Sequence, residues 1–183
     1  MAVLSAHGIE APLPPGFEGR IVIRAAIGRE VPYPVANFST FALPADVGDF
    51  GSGAVTLMGP SDIFATLFEY GPESLGKPLF ARQAMPRALT ASDFRPYVLR
   101  RGLNGQSGSQ WFFTEAGRPF TLYVVLGSHV QRTLLIPRVN DLIGTVSIAP
   151  NLPSMATVTP SSTQSPQVSP APVPARSTGA PWN

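Results

Sequence analysis

The stretch QWFFTEAGRPFTLYVVLG, Gln110 to Gly127, decides the fold. Its arms, Gln110 to Thr114 and Arg118 to Gly127, are rich in aromatic and β-branched residues, the types that suit a pleated, half-buried surface. Between them stands Glu115-Ala116-Gly117. A short connection with glycine last supplies the positive φ that a tight hairpin turn needs. The segment therefore reads as an antiparallel hairpin, in which Trp111, Phe112, Phe113, Phe120 and Tyr123 form cross-strand core pairs. The other use for the same rings is to line a small apolar pocket between sheet and helix.

Working outward, Gln131 to Thr145 reads as a helix. Leu135, Val139, Leu142 and Val146 recur at three- and four-residue spacing, and Ser128 is placed to cap it. Pro137 suits a first turn, which puts the regular part at Ile136 or Pro137 onward. Val146-Ser147-Ile148 would close the sheet as an edge strand. Upstream, Ile63 to Tyr70 is apolar on both faces, as a covered central strand is. Asn37 to Leu43, with Phe38 against Phe41, reads as another strand, as does Gly19 to Ala26, with Ile21 and Ile23 opposed to Arg20 and Arg24. Val3 to Leu13 reads as one strand ended by Pro14-Pro15-Gly16, and a short helix is expected around Gly53 to Met58, stopped by Gly59-Pro60. The sum is α+β: a twisted antiparallel β-sheet of meanders and hairpins with a C-terminal helix packed on one face.

Composition sets the boundaries. Residues 1–149 form the expected single domain. From Pro150 to Asn183, eight prolines, six serines and four threonines occur with Arg176 as the sole charge. Such a segment buries too little apolar surface to offset its ordering entropy and reads as a disordered tail. Charged residues are 13% of the 183, about half the usual share of ~25%. The absence of cysteine excludes disulfides, thiolate metal sites and cysteine nucleophiles, and two histidines cannot furnish a histidine-rich metal site. No apolar run approaches the roughly 18 residues of a membrane span. Met1 to His7 lacks a basic region and an unbroken apolar run, and Glu10 follows closely, so no secretory signal is read and the cytoplasm is expected.

The motifs that suggest chemistry fall short of it. Gly71 to Pro78 matches G-x-x-x-x-G-K, but Pro78 replaces the hydroxyl residue that would hold Mg²⁺, and Leu79 to Pro86 is a poor helix. Gly48 to Gly59 is glycine-rich but lacks both the dinucleotide spacing and a later ribose-binding acid. In Gly105-Gln106-Ser107-Gly108-Ser109 the final glycine of a nucleophile elbow is missing. His7 and His129 remain as acid–base candidates. No cofactor, metal or nucleotide is expected.

The clearest asymmetry is electrostatic. Lys77 to Arg101 holds six basic residues (Lys77, Arg82, Arg87, Arg95, Arg100 and Arg101) against one acid, Asp93, whereas the rest of residues 1–149 is acidic. Arg95, Arg100 and Arg101 are the candidate anion- or partner-binding residues, since a guanidinium presents forked donors to a carboxylate or phosphate.

Three runs carry a resemblance: PLPPGFEGRI (12–21), FALPADVGDFGSGAVTLM (41–58) and FFTEAGRPFTLYVVLGS (112–128). Together they resemble a family of short uncharacterised proteins from GC-rich, actinobacterial-type genomes, over roughly Leu4 to Ile148. More loosely, the Leu-Pro-Pro-Gly start, the twisted strands and the final strand–helix–strand resemble the PsbP/Mog1-type fold, with Phe17 where a tryptophan often stands. That second likeness implies a binding or assembly role. The expected function is a non-enzymatic binding or assembly module that engages a protein partner or a second copy through the basic segment. A net charge of +2 exerts little pull on a nucleic acid. The alternative is a small-molecule binder or small enzyme with an apolar pocket between sheet and helix, using His7 or His129.

Overall fold

The computed structural model describes residues 2–23, 32–45, 47, 51–96, 103 and 105–150. The expected tail, along with Arg100 and Arg101, lies outside them. The chain divides into a unit over Met1–Leu152 and a second over Pro153–Asn183; the account below is of the first.

The decisive hairpin forms from β6 (Ser107–Glu115) and β7 (Arg118–Leu126). Glu115 pairs with Arg118, so the turn is only Ala116-Gly117, both with positive φ (54° and 74°). That is the backbone of a type I′ connection, whose twist matches the strands. Across the hairpin Phe113 and Phe120 stack at 5.8 Å, one of the expected core pairs.

β7 also pairs with β5 (Ile63–Glu69), which pairs with β4 (Pro34–Ser39), which in turn pairs with β3 (Glu18–Ile23). The result is a five-stranded antiparallel sheet in the order β3-β4-β5-β7-β6, with the apolar β5 at its centre. A smaller sheet joins β1 (Val3–Ala6), β2 (Ile9–Pro12) and β8 (Ser147–Ile148) in the order β1-β2-β8.

Val3 to Leu13 is thus a hairpin rather than one strand. His7 and Gly8 both take positive φ (53° and 72°), and this two-residue turn reverses the chain. Leu4 comes to lie opposite Ala11 and packs against the core with Ile9, Ala11 and Leu13. Val3 points outward and is 56% exposed.

The helix α2 spans Arg132–Thr145 and starts earlier than Pro137 alone suggests. Pro137 is its sixth residue and leaves the carbonyl of Thr133 without its helical donor. Both residues lie on the exposed side of the helix. Ser128 accepts from the Gln131 N–H at 3.3 Å, one turn ahead of the helix. Leu135, Val139, Leu142 and Val146 are buried as expected. At the other end Arg87 donates to the carbonyls of Ile143 and Val146 and to Glu115 Oε1 (2.8 Å), which places a cation where the helix dipole favours one. The expected short helix is a single turn, α1 (Ser52–Val55).

The alternation of β3 to β7 sends one set of side chains to each face of the large sheet. One face, with Phe38, Ala65, Leu67, Phe120, Leu122 and Val124, packs with the small sheet, α2 and Met85, Leu89 and Phe94 into a continuous core. Beneath that core lies an ion pair buried at both ends. Arg118 Nε and Nη2 bond the two oxygens of Glu69 at 2.9 and 2.6 Å, with each side chain 2% exposed. The guanidinium also donates to the carbonyls of His7 (3.0 Å), Gly8 (3.4 Å) and Ala149 (2.9 Å). Its donors are thereby spent on fixing the small sheet to the large one.

Candidate binding face

The second face of the large sheet looks away from α2. At one end it is covered by Val47, Ala54 and Val55 packed on Phe64 and Val125. Gly51 makes this approach possible: it sits at φ +79°, and a Cβ there would fall 2.1 Å from a ring carbon of Phe64. At the other end Tyr70 and Phe80 (ring centroids 5.1 Å apart) and Phe80 and Phe112 (5.6 Å) meet edge to face, and Phe68 meets Tyr70 in the same way.

Between these two apolar walls the register lines up one polar residue from every strand. Arg20 stands opposite Asn37, Asn37 opposite Thr66, Thr66 opposite Tyr123, and Tyr123 opposite Gln110. Cross-strand partners point to the same face, so these five form one row. It spans four strand spacings of about 4.8 Å, roughly 19 Å in all. Gln110 is exposed, Arg20 and Tyr123 are half-buried, and Asn37 and Thr66 are buried. The Thr66 hydroxyl has no hydrogen-bond partner, an arrangement that costs free energy in a protein interior. Burial pushes the Tyr123 phenol up to about 12, so it stays neutral, both donor and acceptor. The row's one charge, Arg20, is held by the carbonyls of Pro44 and Ala45 (3.0 Å to the latter).

The basic segment divides. Arg82 lies over the Trp111 ring at 4.9 Å, and Arg87 is engaged with Glu115 and the end of α2. Arg95 is exposed, and its backbone bridges Gly108 in both directions (3.0 and 3.1 Å). That bridge, together with one between Gln83 and Thr114, occupies the outer edge of β6 near its two ends. Arg95 thus stands at the rim of the polar face.

The two histidines are not brought together. His7 is exposed in the β1–β2 turn, and its carbonyl touches Arg118 at the start of β7. His129 follows the end of β7, whose nine residues span about 27 Å. His129 is half-buried, and its N–H reaches the Gly105 carbonyl at 2.6 Å. At this junction of β6, β7 and α2, Gln106 Oε1, Ser107 Oγ, His129 Nδ1 and Arg132 Nε are buried without partners. Asp62, on the strand end alongside, is already occupied by the Gly59 N–H (2.7 Å) and Thr40 Oγ1 (3.1 Å).

The segment that mimics a phosphate loop folds as two short 3₁₀ turns, Pro72–Ser74 and Pro78–Phe80. The N–H groups of Ser74, Leu75 and Lys77 donate to carbonyls of the same segment. Among the described residues no three His, Cys, Asp or Glu side chains converge on a metal position, and no helix is long and apolar enough to cross a membrane.

Sequence reasoning placed all five residues on strands but did not see the row. Its only local signal is a polar residue interrupting each apolar strand, as Thr66 interrupts Ile63 to Phe68. Comparison with known proteins finds no matching family model, no matching curated relative and no matching solved structure.

Proposed function

We propose that the protein is a non-enzymatic binding module whose recognition surface is the second face of the five-stranded sheet. The observation that carries this reading is the polar row set between two apolar walls. Binding sites are typically apolar surfaces with a few well-placed polar groups, and here the polar groups sit on the five strands of the large sheet. Packing alone would have filled these positions with apolar residues. A purely solvated face would not bury Asn37 and Thr66 within it. Arg95 extends the surface at its rim, in keeping with a role for the basic segment in docking.

The test is site-specific photo-crosslinking in cells that make the protein. A photo-reactive residue in place of Phe112, on the proposed face, should yield a discrete adduct. The same residue in place of Leu134, which is 73% exposed on α2, should not. Equal capture from both positions, or from neither, would remove the face as the recognition surface.

A further inference from the structure

We infer that the protein takes a short extended peptide of a partner protein as an added strand on the outer edge of β6, with an acidic side chain at the peptide's centre. The inference rests on the reading of the second face as the recognition surface, which this edge bounds, and it names the partner's chemistry. The edge carries a strand begun at both ends and left open in the middle. Gly108 exchanges both backbone bonds with Arg95 (3.0 and 3.1 Å). Thr114 gives its N–H to the Arg82 carbonyl and accepts from the Ala84 N–H (2.8 Å each). Backbone groups along an antiparallel strand alternate in direction, so those of Gln110 and Phe112 point outward as those of Gly108 and Thr114 do. Neither residue's outward N–H or C=O has a partner among the described residues. The same stretch is open to solvent: Gln110 is exposed and Trp111 and Phe112 are half-buried, whereas Ser109 and Phe113 on either side are buried. Between the two bridges the opening spans about 20 Å, room for about three extended residues with their entry and exit.

The surroundings select the side chains. In an added strand, the residues bonded to Phe112 and Gln110 turn their side chains to the second face, and the residue between them turns to the other face, beside Trp111. There Arg82, whose carbonyl holds the Thr114 N–H, extends its guanidinium to 4.9 Å from the Trp111 ring. Arg82 is exposed and has no acidic partner among the described residues. A carboxylate at the middle position accepts the forked N–H donors of that guanidinium. The residue opposite Phe112 meets an aromatic wall, since the Phe112 ring meets Phe80 edge to face at 5.6 Å, and calls for an apolar side chain. The residue opposite Gln110 meets an amide and calls for a polar one. Two other occupants fit less well. Residues 150–183 contain no acidic residue and carry eight prolines, so they lack the carboxylate and many of the N–H donors. A second copy's β6 would bring its own two bridging segments into the same opening.

The experiment pans the full chain against a displayed library of random heptapeptides and measures one synthetic binder by calorimetry. The selected peptides should share an apolar–acidic–polar run. Gln110→Pro removes one outward N–H without touching a bond to β7, a place where an edge strand tolerates proline. It should weaken binding about tenfold, the scale of one neutral hydrogen bond, with the far-ultraviolet circular dichroism unchanged. Gln110→Ala, which keeps the N–H, should bind nearly as wild type. Methylating the peptide's backbone nitrogens one at a time should remove binding at alternate positions only, since every second N–H points away from β6; this scan uses the wild-type protein and stands even if the proline variant is destabilised. Arg82→Glu should abolish the preference for the acidic residue and the weakening of binding between about 0.1 and 1 M salt. Binding that Gln110→Pro leaves intact, or a methylation pattern without the two-residue period, overturns strand addition. If no heptapeptide binds while the photo-reactive residue in place of Phe112 captures a protein in cells, strand addition fails and the binding face survives. If neither occurs, both fail.

Discussion

Removing the cation beneath the core should cost a large part of the protein's stability, and removing its partner as well should restore part of the loss. Consider Arg118→Met. The side chain is 2% exposed, so the change leaves the Glu69 carboxylate buried without either of its two charge-assisted bonds. Breaking a buried pair in this way costs about 3–5 kcal/mol. The carbonyls of His7, Gly8 and Ala149 lose their donor too, but the Gly8 carbonyl keeps the Ala149 N–H at 2.8 Å, and His7 and Ala149 are exposed, so water covers the rest. A net loss near 4 kcal/mol is a large part of the ~5–15 kcal/mol that holds a domain folded. In a domain this size it lowers Tm by roughly 8–16 °C. Glu69→Met alone strands the guanidinium and should cost a similar amount. The double variant replaces the pair with apolar chains of comparable length and should be more stable than either single variant, because neither charge is then left behind. Equilibrium urea unfolding of the four proteins closes the cycle, with a coupling energy of at least about 1.5 kcal/mol expected. Strict additivity, or a loss below about 1 kcal/mol for Arg118→Met, would refute the claim that the ion pair ties the two sheets together.

Three further outcomes follow from local geometry. Gly51→Ala should destabilise far more than Gly117→Ala, since the first drives a methyl into Phe64 while the second meets open space and pays only for its positive φ, about 1 kcal/mol; parallel thermal melts decide it. The Tyr123 phenol ionises near 12 when folded, against an ordinary value of 10. Its folded value is raised, so its contribution is fully present below pH 10 and is lost as pH climbs from 10 to 12; an ultraviolet phenolate titration should lose its last step in Tyr123→Phe. Arg87→Ala should cost about 1–2 kcal/mol by uncapping α2 and releasing Glu115, and Arg87→Lys should recover only part of it because one ammonium cannot span both sites; denaturant midpoints test this.

What could be read in the chain was what local physics decides. Alternation of apolar residues and a glycine at the turn identify the β6–β7 hairpin, and three- and four-residue spacing identifies the buried stripe of α2. The α+β architecture follows from those elements. The β1–β2 hairpin escaped because its turn is His7-Gly8, and histidine is an uncommon occupant of a position with positive φ. The helix was legible almost to the residue, Gln131 to Thr145 against the observed Arg132–Thr145; only the idea that its regular part waits for Ile136 or Pro137 failed, because Pro137 is tolerated as its sixth residue. The polar row was illegible for a different reason. Arg20, Asn37, Thr66, Tyr123 and Gln110 are adjacent only through the register of four strand pairs, and no single segment contains two of them. The Glu69–Arg118 pair is hidden in the same way, across 49 positions.

The order in which the chain leaves the ribosome now matters. Ile9 and Glu10 in β2 pair with β8, at Ile148 and Ser147, and Arg118 meets the carbonyl of His7, 111 positions back. At about 5–20 residues per second, the roughly 140 residues between β2 and β8 take on the order of 7–28 s to appear. For that interval Ile9, Ala11 and Leu13 have no completed core to enter, and β2 offers an unpaired strand edge. Until its last strand arrives, a nascent chain of this design carries an unpaired edge of the kind that invites misassembly. A ribosome stalled before Ile148 would hold out an N-terminal hairpin primed to pair with the wrong partner.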